Sequence, residues 1–162
     1  MVAVGRYLLR ASPTSKDGSL NAMKRILVCL DASPRAALVL ETAADLGRRL
    51  DAKLCLLRSV SVPAHIDQEA VTHGASPIAE IEAAAKAELA AIAAKLQGLV
   101  EGVHVRLGVP WDAICHEAKE LDCDLVVLGS HGYKGLDKIL GTTAGKVVNN
   151  CERSVLVVRE KS

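Results

Sequence analysis

The residues best suited to chemistry lie between Gly129 and Thr143. Gly129, Gly132, Gly135 and Gly141 let a backbone approach a ligand closely and take up positive φ. Gly141, Thr142 and Thr143 then open a helical pattern. A helix start offers unbonded N–H groups and the positive end of a dipole, which suits phosphate. On spacing alone the same residues read equally well as turn glycines with an N-capping threonine. Neither familiar phosphate loop is present. Residues 141–147 are one residue short of a Walker A loop and lack its final Ser or Thr, and no G-x-G-x-x-G follows the first strand. Ser130 and His131 adjoin, but no G-x-S-x-G elbow surrounds the serine, which argues against a hydrolase triad. Asp31 holds a phospho-acceptor's place after a strand without the accompanying acidic pair in residues 25–31. It also reads as a helix cap, although Ser33 is better placed for that. The five histidines (65, 73, 104, 116 and 131) show no metal-ligand spacing, and no metal site is expected. His104, on an alternating segment, is expected to face solvent. Trp111, after Pro110, is expected to cover a sheet edge or a helix start.

These loops need a scaffold, and the hydrophobic periods supply one. Residues 25–30 form a short continuous apolar run, the mark of a strand buried on both faces. Ser33 and Pro34 read as the N-cap and first residue of a helix that continues to Leu50. Residues 53–60 read as a second strand, followed by a polar loop over 61–76. Ile78, Ile81, Ala85, Leu89, Ile92, Leu96 and Leu99 step by three and four, which predicts a long helix punctuated by Gly98 and Gly102. Residues 103–107 alternate as a third strand, Pro110 opens a third helix, and 125–128 form a fourth strand. A helix over 142–150 and a strand over 154–158 complete the pattern. Such alternation predicts an α/β fold, a five-stranded parallel sheet with helices on both faces, Rossmann-like. Ligands in such sheets bind beyond the C-terminal strand ends, where strand order reverses. If strands one to three grow one way and strands four and five the other, the loops at 30–34 and 129–143 flank one crevice.

Length and composition narrow the function classes. A chain of 162 residues fits one domain, and 50% hydrophobic content is enough for a core without disulfides or metals. Lys and Arg total 20 against 19 Asp and Glu, a net charge of +1, which leaves no basic footprint for nucleic acid. With one Trp, two Tyr and no Phe, there is no base-stacking platform either. No uncharged stretch approaches the ~18–20 apolar residues of a membrane span. Cys29, Cys55, Cys115, Cys123 and Cys151 are odd in number, scattered and without C-x-x-C, which reads as reduced structural thiols in a cytoplasmic protein. Residues 1–22 lack the apolar core of a secretory signal and read as a flexible extension, with Met23 an alternative start.

Residues 23–31, the Gly-Val-Pro turn at 108–110, residues 124–132 and residues 139–144 resemble the universal stress protein family. The resemblance spans about residues 23–160, so the domain is placed at 23–162. It implies a five-stranded α/β sandwich that is adenine nucleotide alpha hydrolase-like and commonly dimeric, in a family with ATP-binding and non-binding members. Binders carry Gly-x2-Gly-x9-Gly-Ser/Thr. Here Gly129 and Gly132 are followed by eight residues (133–140) before Gly141 and Thr142. Counting nine from Gly135 to Gly145 brings up Lys146 in place of the hydroxyl residue, which rules out that register.

Position by position, the resemblance implies that Asp31 holds ribose or a metal-bound phosphate. Leu128 and Gly129 would meet the sugar or base, and Gly132, Gly141, Thr142 and Thr143 the phosphates. Ser59, behind Arg58, falls where the family usually offers adenine an apolar residue. The expected ligand is ATP with Mg, and the expected function is regulatory, in stress response, without dedicated catalysis. Two alternatives stand beside it: a protein-interaction member that binds no nucleotide, and a slow ATPase or self-phosphorylating enzyme using Thr142 or Thr143. The downstream protein partner is unknown; nucleic acid and membrane are not expected. A homodimer is expected through strand 154–158, an apolar terminal edge with no later strand to cover it. The alternative is that the N-terminal extension shields that edge.

Overall fold

The computed structural model describes residues 2–4, 7–10, 23–61, 77–130 and 141–159. In chain order the elements are β1 (Val2–Val4), β2 (Tyr7–Arg10), β3 (Arg25–Cys29), α1 (Ala36–Leu50), β4 (Lys53–Val60) and α2 (Pro77–Lys95). They continue with β5 (Val100–Leu107), α3 (Pro110–Glu120), β6 (Leu125–Gly129), α4 (Thr142–Asn150) and β7 (Ser154–Val158). One sheet runs β1-β2-β7-β6-β3-β4-β5. Its five strands from β7 to β5 are parallel, and the order reverses between β3 and β6, as the loop argument requires.

The period of two along each strand divides the core into layers. Ile26, Val28, Leu54, Leu56, Leu125 and Val127 face one way and pack with Val39 and Ala43 of α1 and Leu89 of α2. Leu27, Leu57, Val126, Leu128, Val155 and Val157 face the other way, against Ile114 and Ala118 of α3 and Val147 and Val148 of α4. Both faces of the sheet are therefore covered by helices, which is why the strands read as continuous apolar runs. At the end of the sheet remote from the loops, the Asp124 carboxylate accepts the backbone N–H groups of Lys24 and Arg25 at 2.8 and 3.0 Å. That clamp fixes where β3 starts beside β6.

Four expectations need correction. Ser33 does not cap α1, whose N-cap is Arg35 without a side-chain bond. The Ser33 N–H and hydroxyl are both taken by the Asp31 carboxylate, at 3.0 and 2.7 Å. Gly102 does not end a helix. It lies inside β5, where the register against β4 slips between Leu54 and Cys55. A Cβ on Gly102 would sit 2.8 Å from His104 Nε2, so the glycine lets the imidazole fold back along the strand. His104 itself is half-buried, with Nδ1 2.9 Å from a Glu117 carboxylate oxygen. Finally, the edge of β7 is occupied. Tyr7–Arg10 pairs antiparallel with it, Leu8 opposite Val157 and Leu9 opposite Leu156, and Val2–Val4 pairs with β2 in turn. Along those residues the N-terminal extension is strand, because unpaired N–H and C=O groups on an edge take whatever partner the chain supplies.

Candidate nucleotide site

The parallel strands deliver their loops to one crevice. Asp31 follows β3, Ser59 lies near the end of β4, Leu128 and Gly129 end β6, and Thr143 lies in the first turn of α4. All five line a single open cavity of about 240 Å³. Leu30 and Leu57 add apolar wall, as do Pro110 and Ile114 of α3 and Ala144 of α4. The cavity is thus lined mostly by apolar groups with a few polar ones among them, the usual make-up of a small-molecule site.

Local sequence explains each placement. The Asp31 carboxylate accepts from both Ser33 groups, which closes a tight turn and holds the carboxylate at the crevice. Gly141 is buried at the N-cap of α4 and contributes no side-chain cap. The first intrahelical bond runs from Gly145 N–H to Gly141 O at 2.8 Å. The first turn of α4 carries no acidic residue, so its positive end is not offset locally. Thr142 is exposed, whereas Thr143 is half-buried on the cavity wall. Gly132 and Gly135 lie outside the described residues, as does His131. Burial pushes the Cys29 thiol up, so the cysteine lining this cavity is a neutral wall group.

Sequence reasoning missed the α3 contribution. Pro110 and Ile114 reach the cavity because Pro110 starts α3 directly after β5, at N1. The signal was the proline at the end of an alternating segment, which marked a helix start without saying which loop it would face. Arg35 was also missed. Its Nη1 lies 3.5 Å from the Ser130 carbonyl oxygen, bringing a cation between the two loops. Trp111 packs against the α3–α4 layer beneath Lys146, whose Nζ lies 5.9 Å from the ring centroid. Lys146 directly follows the Gly145 rejected in the loop register, so it lies on α4 one turn beyond the crevice.

Residues 23–159 match the model of the universal stress protein family. The chain belongs to that family. It is 31% identical over 143 residues to universal stress protein A homolog 2 of Coxiella burnetii, covering 85% of this chain and 96% of the relative. Among solved structures it resembles the universal stress protein UspA from Lactobacillus plantarum, with a TM-score of 0.70, 26% identity, and coverage of 85% of this chain and 98% of that one. A universal stress protein solved in complex with cAMP shares the fold at a TM-score of 0.63 and 23% identity, over 87% of this chain and 100% of that chain. The five-stranded parallel sheet with four helices is the fold of this family. No described helix is long and apolar enough to cross a membrane.

Proposed function

We propose that the crevice binds ATP with Mg and that the chain is a nucleotide-responsive regulatory protein of the cytoplasm, passing its state to a protein partner. The observation that carries this reading is the convergence of Asp31, Ser59, Leu128, Gly129 and Thr143 on one cavity beside the start of α4. The ring would lie against Leu30, Leu57 and Ile114, with Ser59 at its edge and ribose near Asp31. The phosphates would lie over the first turn of α4, held by the Gly141, Thr142 and Thr143 backbone and the two hydroxyls; Gly132, outside the described residues, is assigned to them by the family resemblance alone. A relative of the same fold solved with cAMP supports an adenine nucleotide as the ligand class. The five free cysteines support a reducing compartment.

We assign the protein no dedicated catalysis. The crevice carboxylate, Asp31, is bonded by the Ser33 N–H and hydroxyl, which suits holding a ligand rather than taking a proton. The test is direct. Titration calorimetry should show Mg-ATP binding more tightly than AMP, because the helix start favours the added negative charge. Mass spectrometry should detect adenine nucleotide released when the purified protein is denatured. A folded protein with neither binding heat nor released nucleotide sinks the proposal.

A further inference from the structure

The walls of the crevice carry the wrong charge for phosphate. Among the described residues that line it, the one charged side chain is Asp31, a carboxylate, which repels an anionic ligand. An offset stands at the mouth. Helix α1 packs so closely over the end of β6 that a Cβ on Gly129 would lie 3.3 Å from Val39 Cγ2. Arg35 is one turn before Val39, whose N–H donates to the Arg35 carbonyl at 3.3 Å. The exposed Arg35 side chain therefore reaches over the β6 lip of the crevice, and its Nη1 comes within 3.5 Å of the Ser130 carbonyl oxygen. The first turns of α1 and α4 both lack acidic residues, so neither offsets the positive end of its helix locally.

We propose that Arg35 grips the polyphosphate tail and makes the crevice selective for nucleoside di- and triphosphates over monophosphates. The inference rests on the nucleotide reading of the crevice given above. Arg35 overhangs the mouth and is not part of the cavity wall, so a ligand seated wholly inside leaves it aside. Phosphates that project past the mouth come under the guanidinium. Its planar fork presents paired N–H donors that fit two phosphate oxygens at once. The contact with the Ser130 carbonyl is at the long limit of a hydrogen bond, so exchanging it for a charge-assisted pair costs little. Asp31 and Arg35, one on each side of the Ser33 turn, would then divide the work, the carboxylate meeting ribose or a bound metal and the guanidinium the tail.

Titration calorimetry on the full chain compares ATP, ADP and AMP, each with Mg, in the unmodified protein and in Arg35→Ala, Arg35→Gln and Arg35→Lys. Each variant alters one exposed side chain, so the fold is kept. Loss of one charge-assisted contact should weaken ATP and ADP about tenfold in Arg35→Ala and leave AMP within about twofold. Arg35→Gln keeps hydrogen-bonding groups without the charge and should behave like the alanine variant. Arg35→Lys keeps the charge without the fork and should recover part of the loss. An unchanged ATP-to-AMP ratio in Arg35→Ala overturns the proposal, leaving the tail to the start of α4 and the nucleotide reading intact. Equal weakening of ATP and AMP overturns it too, because Arg35 would then be a brace between the two loops through Ser130. If the unmodified chain binds no nucleotide, the reading of the crevice falls and this inference falls with it.

Discussion

Gly141 and Thr142 stand next to each other at the start of α4 and should answer differently to substitution. Gly141 is buried at the N-cap, so Gly141→Val places a branched side chain where, in the proposed complex, the backbone would meet phosphate. ATP binding should be lost while the protein stays folded. Thr142 is exposed, and Thr142→Ala removes one hydroxyl bond worth about 0.5–1.5 kcal/mol. Calorimetry should show a weaker, still measurable affinity; equal and negligible effects would move the nucleotide elsewhere. Glu117 is a different case, a carboxylate only 3% exposed that pairs with His104 and Arg106. Glu117→Gln should cost about 1–2 kcal/mol in urea unfolding, less than a fully buried pair because both partners are partly solvated. Glu101 supplies a pH signature. The Arg25 guanidinium bonds it at 2.8 and 2.9 Å and holds its carboxyl below the ordinary 4.5. A carboxylate depressed in the folded state stabilises fully above its unfolded value, and that stabilisation fades as pH falls through the lower folded value. Glu101→Gln should therefore flatten the stability curve below about pH 4.5. The effect should be small, because the pair is largely exposed.

Among the elements, those whose apolar period is unbroken were legible in sequence. β4, α4 and β7 begin and end where the pattern predicts, since buried runs leave little choice of boundary. The element ends that were misread are those fixed by a side-chain bond or a strand pairing that the hydrophobic period does not carry. Helix α1 starts at Ala36 because Asp31 takes the hydroxyl of Ser33. Strand β5 starts at Val100, before Gly102, because β4 pairs with it across a register shift. The candidate site divides the same way. Loop residues after β3 and β6 were visible as special residue types, whereas Ile114 looks like any core position until α3 is laid over the crevice. Gly102 offers a test at this scale. Gly102→Ala pushes on the His104 ring, which Glu117 holds in place. The substitution should destabilise the unmodified chain by about 1 kcal/mol and do little in a His104→Ala background. A double-mutant cycle reads that coupling, and an equal cost in both backgrounds would refute the close-approach account.

For the molecule as a whole, the N-terminal hairpin decides which edges face outward. A sheet edge is made of backbone groups, so substituting Leu156 or Val158, 5% and 4% exposed, would damage the core rather than a dimer seam. The informative change is removal of the hairpin. The full chain should run as a monomer by light scattering, with β2 occupying the β7 edge. A chain begun at Met23 should self-associate through that freed edge. If the full chain is already dimeric, the pairing runs through another surface. The sheet's other outer strand, β5, carries Glu101, His104 and Arg106, charged and titratable groups that discourage strand addition. One further consequence follows from Trp111 beneath Lys146. It is the chain's single tryptophan, and it stands where α3 meets α4. Its emission is therefore an unlabelled optical probe of that seam, with an ammonium group beside the ring. Filling of the crevice, which both helices line, should shift that emission, so one cuvette can follow binding in real time.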